Sequence, residues 1–182
     1  MKPFMIFDTR LKKGQSLIEA MVALGVLTIG FFGIISLLSK SFFYGRDVSD
    51  TMKATYLASE GIETTKNLID HDVTVALEGG DEGFGWCFIG RGTDFEMDYA
   101  TTCANLNQYS GQYILFDSAS HLYGYAPSLS TVPTNFLRKI RVVISPDKNE
   151  ITVNSIVTWS TGPITDQSIN VEDEFYNWKS KG

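Results

Sequence analysis

The chain has little with which to build a reaction centre or a metal cage: two cysteines, two histidines and five prolines in 182 residues. It contains no Gly-x-Ser-x-Gly, no His-Glu-x-x-His and no phosphate-cradling Gly-Lys-Ser/Thr, so the familiar marks of hydrolases, zinc proteases and nucleotide-binding loops are missing. Positive charge is short as well. Lys and Arg number 15 against 21 Asp and Glu, a formal net charge of −6, whereas binding to a phosphate backbone rests on clustered cations. Nucleic acid is therefore not expected as a direct partner, and nothing points to a cofactor. No internal repeat or low-complexity linker is present. What the chain does have is 43% apolar and 13% aromatic residues with 20% charged, enough for one cored domain and far from a disordered composition.

The apolar residues are unevenly spread. Residues 1–14 carry Lys2, Arg10, Lys12 and Lys13 against Asp8, and then Ala20 to Ser39 hold no charge at all. A helix over residues 17–38 would be about 33 Å long, enough to cross a hydrocarbon core of about 30 Å. Basic residues on its N-terminal side predict a cytoplasmic N-terminus, with everything after Lys40 outside. A cleaved secretory signal fits less well, because its apolar stretch is about 7–15 residues and a small-residue cleavage site should follow. A buried core helix is at odds with so long an uncharged run. A plain signal anchor fits the length and charge but leaves Glu19 unexplained, since a carboxylate at the start of a membrane span is costly.

Gly14-Gln15-Ser16-Leu17-Ile18-Glu19, preceded by Lys12 and Lys13 and followed by the apolar run to Ser39, resembles the cleavage and methylation signal of type IV prepilins and type II secretion pseudopilins. The resemblance covers about 40 residues closely. It implies that prepilin peptidase cuts between Gly14 and Gln15 and that the new amine of Gln15 is N-methylated. A glycine before the cut lets the protease approach the backbone closely. Glu19 would pair with a protonated N-terminal amine, its own or that of a neighbouring subunit. Two features depart from the family pattern: Gln15 stands where Phe is commonest, and the span has no proline, leaving Gly25, Gly30 and Gly33 as points of helix loosening.

Beyond the span the sequence stays helix-compatible to about Asp70, with Gly45 as the expected kink. At 100° per residue, Val48, Met52, Tyr56, Ile62 and Ile69 share one face and are expected to pack on the core. Leu57, Thr64 and Leu68 lie opposite, either as a subunit contact or as scattered surface apolars. Residues 71–134 read as loop-rich, with short strands expected at Trp86–Ile89 and Gln112–Asp117. Toward the C-terminus, Phe136, Ile140, Val142 and Ile144 alternate with Lys139 and Arg141, and Pro146–Asn149 form a turn. Ile151, Val153, Ser155, Val157 and Trp159 share the inner face of the next strand. Ile169, Val171 and Phe175 mark a last strand ending near Trp178.

Cys87 and Cys103 lie outside the cytoplasm if the predicted topology holds, and there a disulfide persists. Closing their 16-residue loop contributes about 3 kcal/mol in the chain-entropy account. Two free buried thiols are the alternative, and a metal pair lacks a Cys-x-x-Cys or a histidine nearby in sequence. Asp94, Glu96 and Asp98 alternate as in a calcium loop, but Tyr99 stands where an EF-hand needs glycine and no glutamate closes the loop, so solvated strand-face acids are expected. His71 sits between Asp70 and Asp72 at an expected helix end, and His121 is isolated. Tyr109, Tyr113, Tyr123 and Tyr125 could form an adhesive surface, though core and turn roles are commoner.

These features add up to an α+β, pilin-like chain: a leader (1–14), a membrane-spanning and filament-core helix (15–39), and an extracytoplasmic head (40–182) with sheet over 135–178. The expected function is that of a structural subunit, a minor pilin or pseudopilin, and not of an enzyme. Its expected partners are prepilin peptidase, other pilin or pseudopilin subunits and the inner-membrane assembly platform. Before assembly it would be a single-pass inner-membrane protein with a cytoplasmic N-terminus, and afterwards part of an extracellular or periplasmic filament. A membrane-anchored extracytoplasmic binding module that never polymerises is the competing reading.

Overall fold

The computed structural model describes residues 11–77, 83–161 and 164–177. One helix, α1 (Leu11–Leu77), precedes seven strands: β1 (Asp94–Glu96), β2 (Asn107–Gln108), β3 (Tyr113–Asp117), β4 (Leu122–Gly124), β5 (Thr131–Ile144), β6 (Glu150–Thr161) and β7 (Ile164–Tyr176). The chain divides into two compact units between Arg46 and Asp47. The first contains the apolar half of α1, and the second contains the rest of the helix and the whole sheet. The helical assignment runs through Gly45 without interruption and ends seven residues beyond the expected Asp70.

All strand pairs are antiparallel, and β5 organises them. One edge of β5 pairs with β6 from Phe136 to Ile144, and β7 pairs with the far side of β6. The other edge is shared by β3, opposite residues 131–137, and β1, opposite Ile140 and Arg141. The β5–β6 turn is closed by Ser145 N–H donating to Glu150 O at 2.9 Å, with Lys148 in the left-handed region. Ile151, Val153, Ser155, Val157 and Trp159 are all buried, as their alternation predicts. β7 is an edge strand, and Glu172, Asp173 and Glu174 place charge along it, a device that discourages pairing with a further strand.

The second half of α1 covers the sheet in an α+β, pilin-like arrangement. Ala54, Leu57 and Ala58 pack with Ile114, Phe136, Val157 and Trp159. Leu68 and Ile69 pack with Phe88, Phe95, Met97, Ile140, Val142, Ile151 and Val153. The buried face is therefore not the expected one. Val48, Met52 and Tyr56 are 67%, 59% and 68% exposed, whereas Leu57, Thr64 and Leu68 are buried; only Ile69, and partly Ile62, reach the core from the first stripe. Small residues decide the orientation. Ala54, Ala58, Gly61 and Thr65 line the middle of the buried face and let helix and sheet come close together. A Cβ on Gly61 would overlap Ser155 Oγ and lie 2.5 Å from Ile140 Cδ1. Gly61→Ala should thus cost about 1–3 kcal/mol through overpacking, read as a lowered urea midpoint with an unchanged slope.

One buried cation crosses this interface. Arg138, on the inner face of β5, is fully buried; its Nη1 donates to Leu57 O at 3.0 Å and its Nη2 donates to Met97 O. Glu60 Oε2 lies 3.4 Å from Nη1. The Tyr125 hydroxyl donates to Arg138 O at 3.2 Å. Burial pushes that phenol up to about 12, so it keeps its donor proton at neutral pH.

Three local expectations need correction. Trp86–Phe88 form a 3-10 turn rather than a strand, because Gly85 enters it at φ 74° and Trp86 N–H closes back on Gly83 O at 2.8 Å. The sheet begins at β1, well before residue 135, and includes β3 where a short strand was expected. Of the three alternating acids, Glu96 in β1 and Asp98 just beyond it are buried rather than solvated, while Asp94 stays partly exposed. The last strand ends at Tyr176, and Trp178 lies outside the described residues.

Candidate functional site

The apolar unit holds the residues of the signal-like motif. Leader residues 1–10 lie outside the described residues; Lys12, Lys13, Gly14 and Gln15 are described as helical backbone only. Ser16, Leu17, Ile18 and Glu19 follow in α1, all exposed. Helical spacing sets Gln15 and Glu19 four residues apart on one face. In a chain beginning at Gln15, Glu19 would lie close to the positive end of the helix, where a carboxylate is favoured.

From Leu17 to Leu38 the large apolar side chains are exposed, and Glu19 is the sole charge between Gln15 and Ser39. So extended an apolar surface needs lipid or protein around it. α1 is long and apolar enough to cross a membrane. Two of its hydroxyls are prepared for such surroundings. Thr28 Oγ1 donates to Gly25 O at 2.8 Å and Ser39 Oγ to Ile35 O at 3.0 Å, so these polar groups are satisfied within the helix.

In the second unit, a polar cleft of about 480 Å³ is lined by Glu96, Asp98, Asn107, Gln112 and Tyr125 among others. Its carboxylates hold loops in place. Glu96 Oε1 accepts the backbone N–H groups of Ser110, Gly111 and Gln112 at 2.8–3.0 Å. Asp98 accepts from Ala100 N–H, the Thr101 hydroxyl and Tyr125 N–H. Tyr123 and Tyr125 pack against the core, while Tyr113 is exposed and Tyr109 is half-buried. Asp94 forms a two-point ion pair with Arg141, at 2.7 and 3.0 Å, and the hydrogen bond from Arg141 holds its carboxyl below the ordinary range.

Cys87 and Cys103 are joined by a disulfide, with Cα atoms 5.2 Å apart. The fold also brings the helix end to them. Asp72 is fully buried, and its Oδ2 accepts the Cys87 backbone N–H at 3.0 Å. Asp72 Oδ1 lies 3.1 Å from Cys87 Sγ and 3.4 Å from Cys103 Sγ. The ligating atoms of His71, Asp72 and Cys103 fall within 4.8 Å of one another. Sequence spacing hides this grouping, because Asp72 stands 15 and 31 residues from the two cysteines. The one signal that could have found it is an acid next to a histidine at the expected helix end, in a chain with just two cysteines.

No protein-family model matches the chain, and neither curated proteins nor solved structures yield a match. The class that fold and site define is an α+β head on a chain whose N-terminal helix is long and apolar enough to span a membrane.

Proposed function

We propose that this chain is a structural subunit, a minor pilin or pseudopilin, of a type IV pilus-like or type II secretion-like filament. The observation that supports this most is Gly14-Gln15-Ser16-Leu17-Ile18-Glu19 opening an exposed apolar stretch of α1 in which Glu19 is the sole charge up to Ser39. Prepilin peptidase would cut after Gly14, where glycine already weakens the helix by about 1 kcal/mol relative to alanine. The apolar half of α1 would hold the subunit in the inner membrane, with its N-terminus cytoplasmic, until the assembly platform extracts it. It would then pack with the helices of other subunits in the filament core, leaving the head outside. Cleavage removes four cations and one anion from a chain of net −6, so the processed subunit is more acidic.

The competing reading, an anchored binding module that never polymerises, shares the helix but has no use for the motif. N-terminal peptide mapping and intact mass of the native protein separate the two. The expected mature chain begins at Gln15 and carries one N-methyl group. A start at Met1, or a cut after residue 38, would remove the filament reading.

A further inference from the structure

We propose that the dithiol form of the Cys87–Cys103 pair is a binding site for a zinc-class divalent cation, completed by Asp72 and His71. Three of the four ligands are already grouped in the disulfide form, and Cys87 joins them through its contact with Asp72. One carboxylate oxygen already lies 3.1 and 3.4 Å from the two sulfurs, and His71, Asp72 and Cys103 offer ligand atoms within 4.8 Å of one another. A tetrahedral zinc with bonds of about 2.0–2.3 Å needs ligand atoms about 3.3–3.8 Å apart, a spacing small side-chain movements supply. The donor set of two thiolates, one imidazole and one carboxylate suits zinc and cobalt and is poor for calcium or magnesium, which take oxygens.

Charge and support favour the same occupant. Asp72 is fully buried beside the two sulfurs. A divalent cation with two thiolates adds no net charge to that site. Cys87 N–H donates to the second oxygen of Asp72 at 3.0 Å and fixes the orientation of the carboxylate, the kind of outer support that metal ligands use. His71 is exposed, so one ligand of the cluster can be reached from solvent.

The chemistry balances without an unnamed reactant. A dithiol reductant gives two electrons and two protons; the Sγ–Sγ bond breaks, and the reductant closes to its own disulfide. Metal binding then releases both thiol protons to solvent as the two sulfur–metal bonds form.

The test uses the full-length protein in detergent, with cobalt(II) as the probe. After reduction and anaerobic removal of the reductant, the chain should take up one cobalt with a thiolate-to-metal charge-transfer band and the visible bands of a tetrahedral ion. The disulfide form should take up none. His71→Ala, a change at an exposed position, should weaken cobalt binding by at least about tenfold, and Cys103→Ser should abolish the charge-transfer band. The proposal is overturned if the reduced wild type takes up no cobalt, whether folded or unfolded. It is equally overturned if His71→Ala and Asp72→Asn both bind cobalt as tightly as wild type.

Discussion

Glu19→Val should leave cleavage after Gly14 and membrane insertion intact while cutting recovery in sheared filaments by at least about a hundredfold. The size follows from two opposing costs. A lone carboxylate near Leu17, Ile18 and Met21 disfavours the bilayer, by about 2.5–3.5 kcal/mol at midspan and less near the interface. A simple anchor would therefore insert as well or better with valine. In an apolar filament core the same carboxylate can neutralise an incoming subunit's Gln15 amine. Removing one partner of such a pair strands a buried charge, at about 3–5 kcal/mol. Glu19→Asp should fall between, since it keeps the charge but shortens the reach. Comparing membrane and sheared-surface fractions for the three versions decides the matter, and equal filament recovery of wild type and Glu19→Val would deny Glu19 any role in assembly.

Glu60→Gln should destabilise the head by about 1–2 kcal/mol, more than an ordinary charge change at a partly exposed position. Its side chain is 34% exposed, yet it faces a guanidinium with no exposure at all, 3.4 Å away. Neutralising the acid leaves Arg138 with the carbonyls of Leu57 and Met97 and without this counter-charge. Arg138→Met keeps most of the stem packing and removes the cation. Its cost should be about 1–3 kcal/mol, chiefly because Met97 O loses its donor. Once Arg138 is methionine, Glu60→Gln should add little. Urea unfolding of the four versions gives the coupling directly. Additive effects would mean that Glu60 does not serve as the counter-ion of Arg138.

How much could be read in advance depended on whether one periodicity governed a segment. Residues 20–39 are unambiguous because no charge interrupts them, and β6 because its inward positions from Ile151 to Thr161 alternate without a break. The helix face over 47–72 was misread because size and burial part company there. The large residues Val48, Met52 and Tyr56 face outward, while the small Ala54, Ala58 and Gly61 join Leu57 and Leu68 on the packed face, since the sheet and Arg138 need the room. Glu96 and Asp98 looked like surface acids, and their burial depends on backbone donors from residues 100, 110–112 and 125 that no local pattern reveals. Within the candidate site, the motif at 14–19 is a sequence property throughout, whereas the grouping of His71 and Asp72 with the cysteines is created by the fold alone.

The division of labour between α1 and the sheet also sets an order of folding. β5, β6 and β7 form a meander whose neighbours are consecutive, so their pairing closes short loops. The helix must wait for them: Arg138 reaches back 81 residues to Leu57, and Trp159 and Val157 cover Ala54 and Ala58. A chain delivered N-terminus first would hold the Ala54–Asp72 face unburied until β5 and β6 had emerged. Premature release, or truncation before β6, would leave that face open to a chaperone or a protease, so a chain that lacks β5 and β6 is exposed to removal at the helix that precedes them.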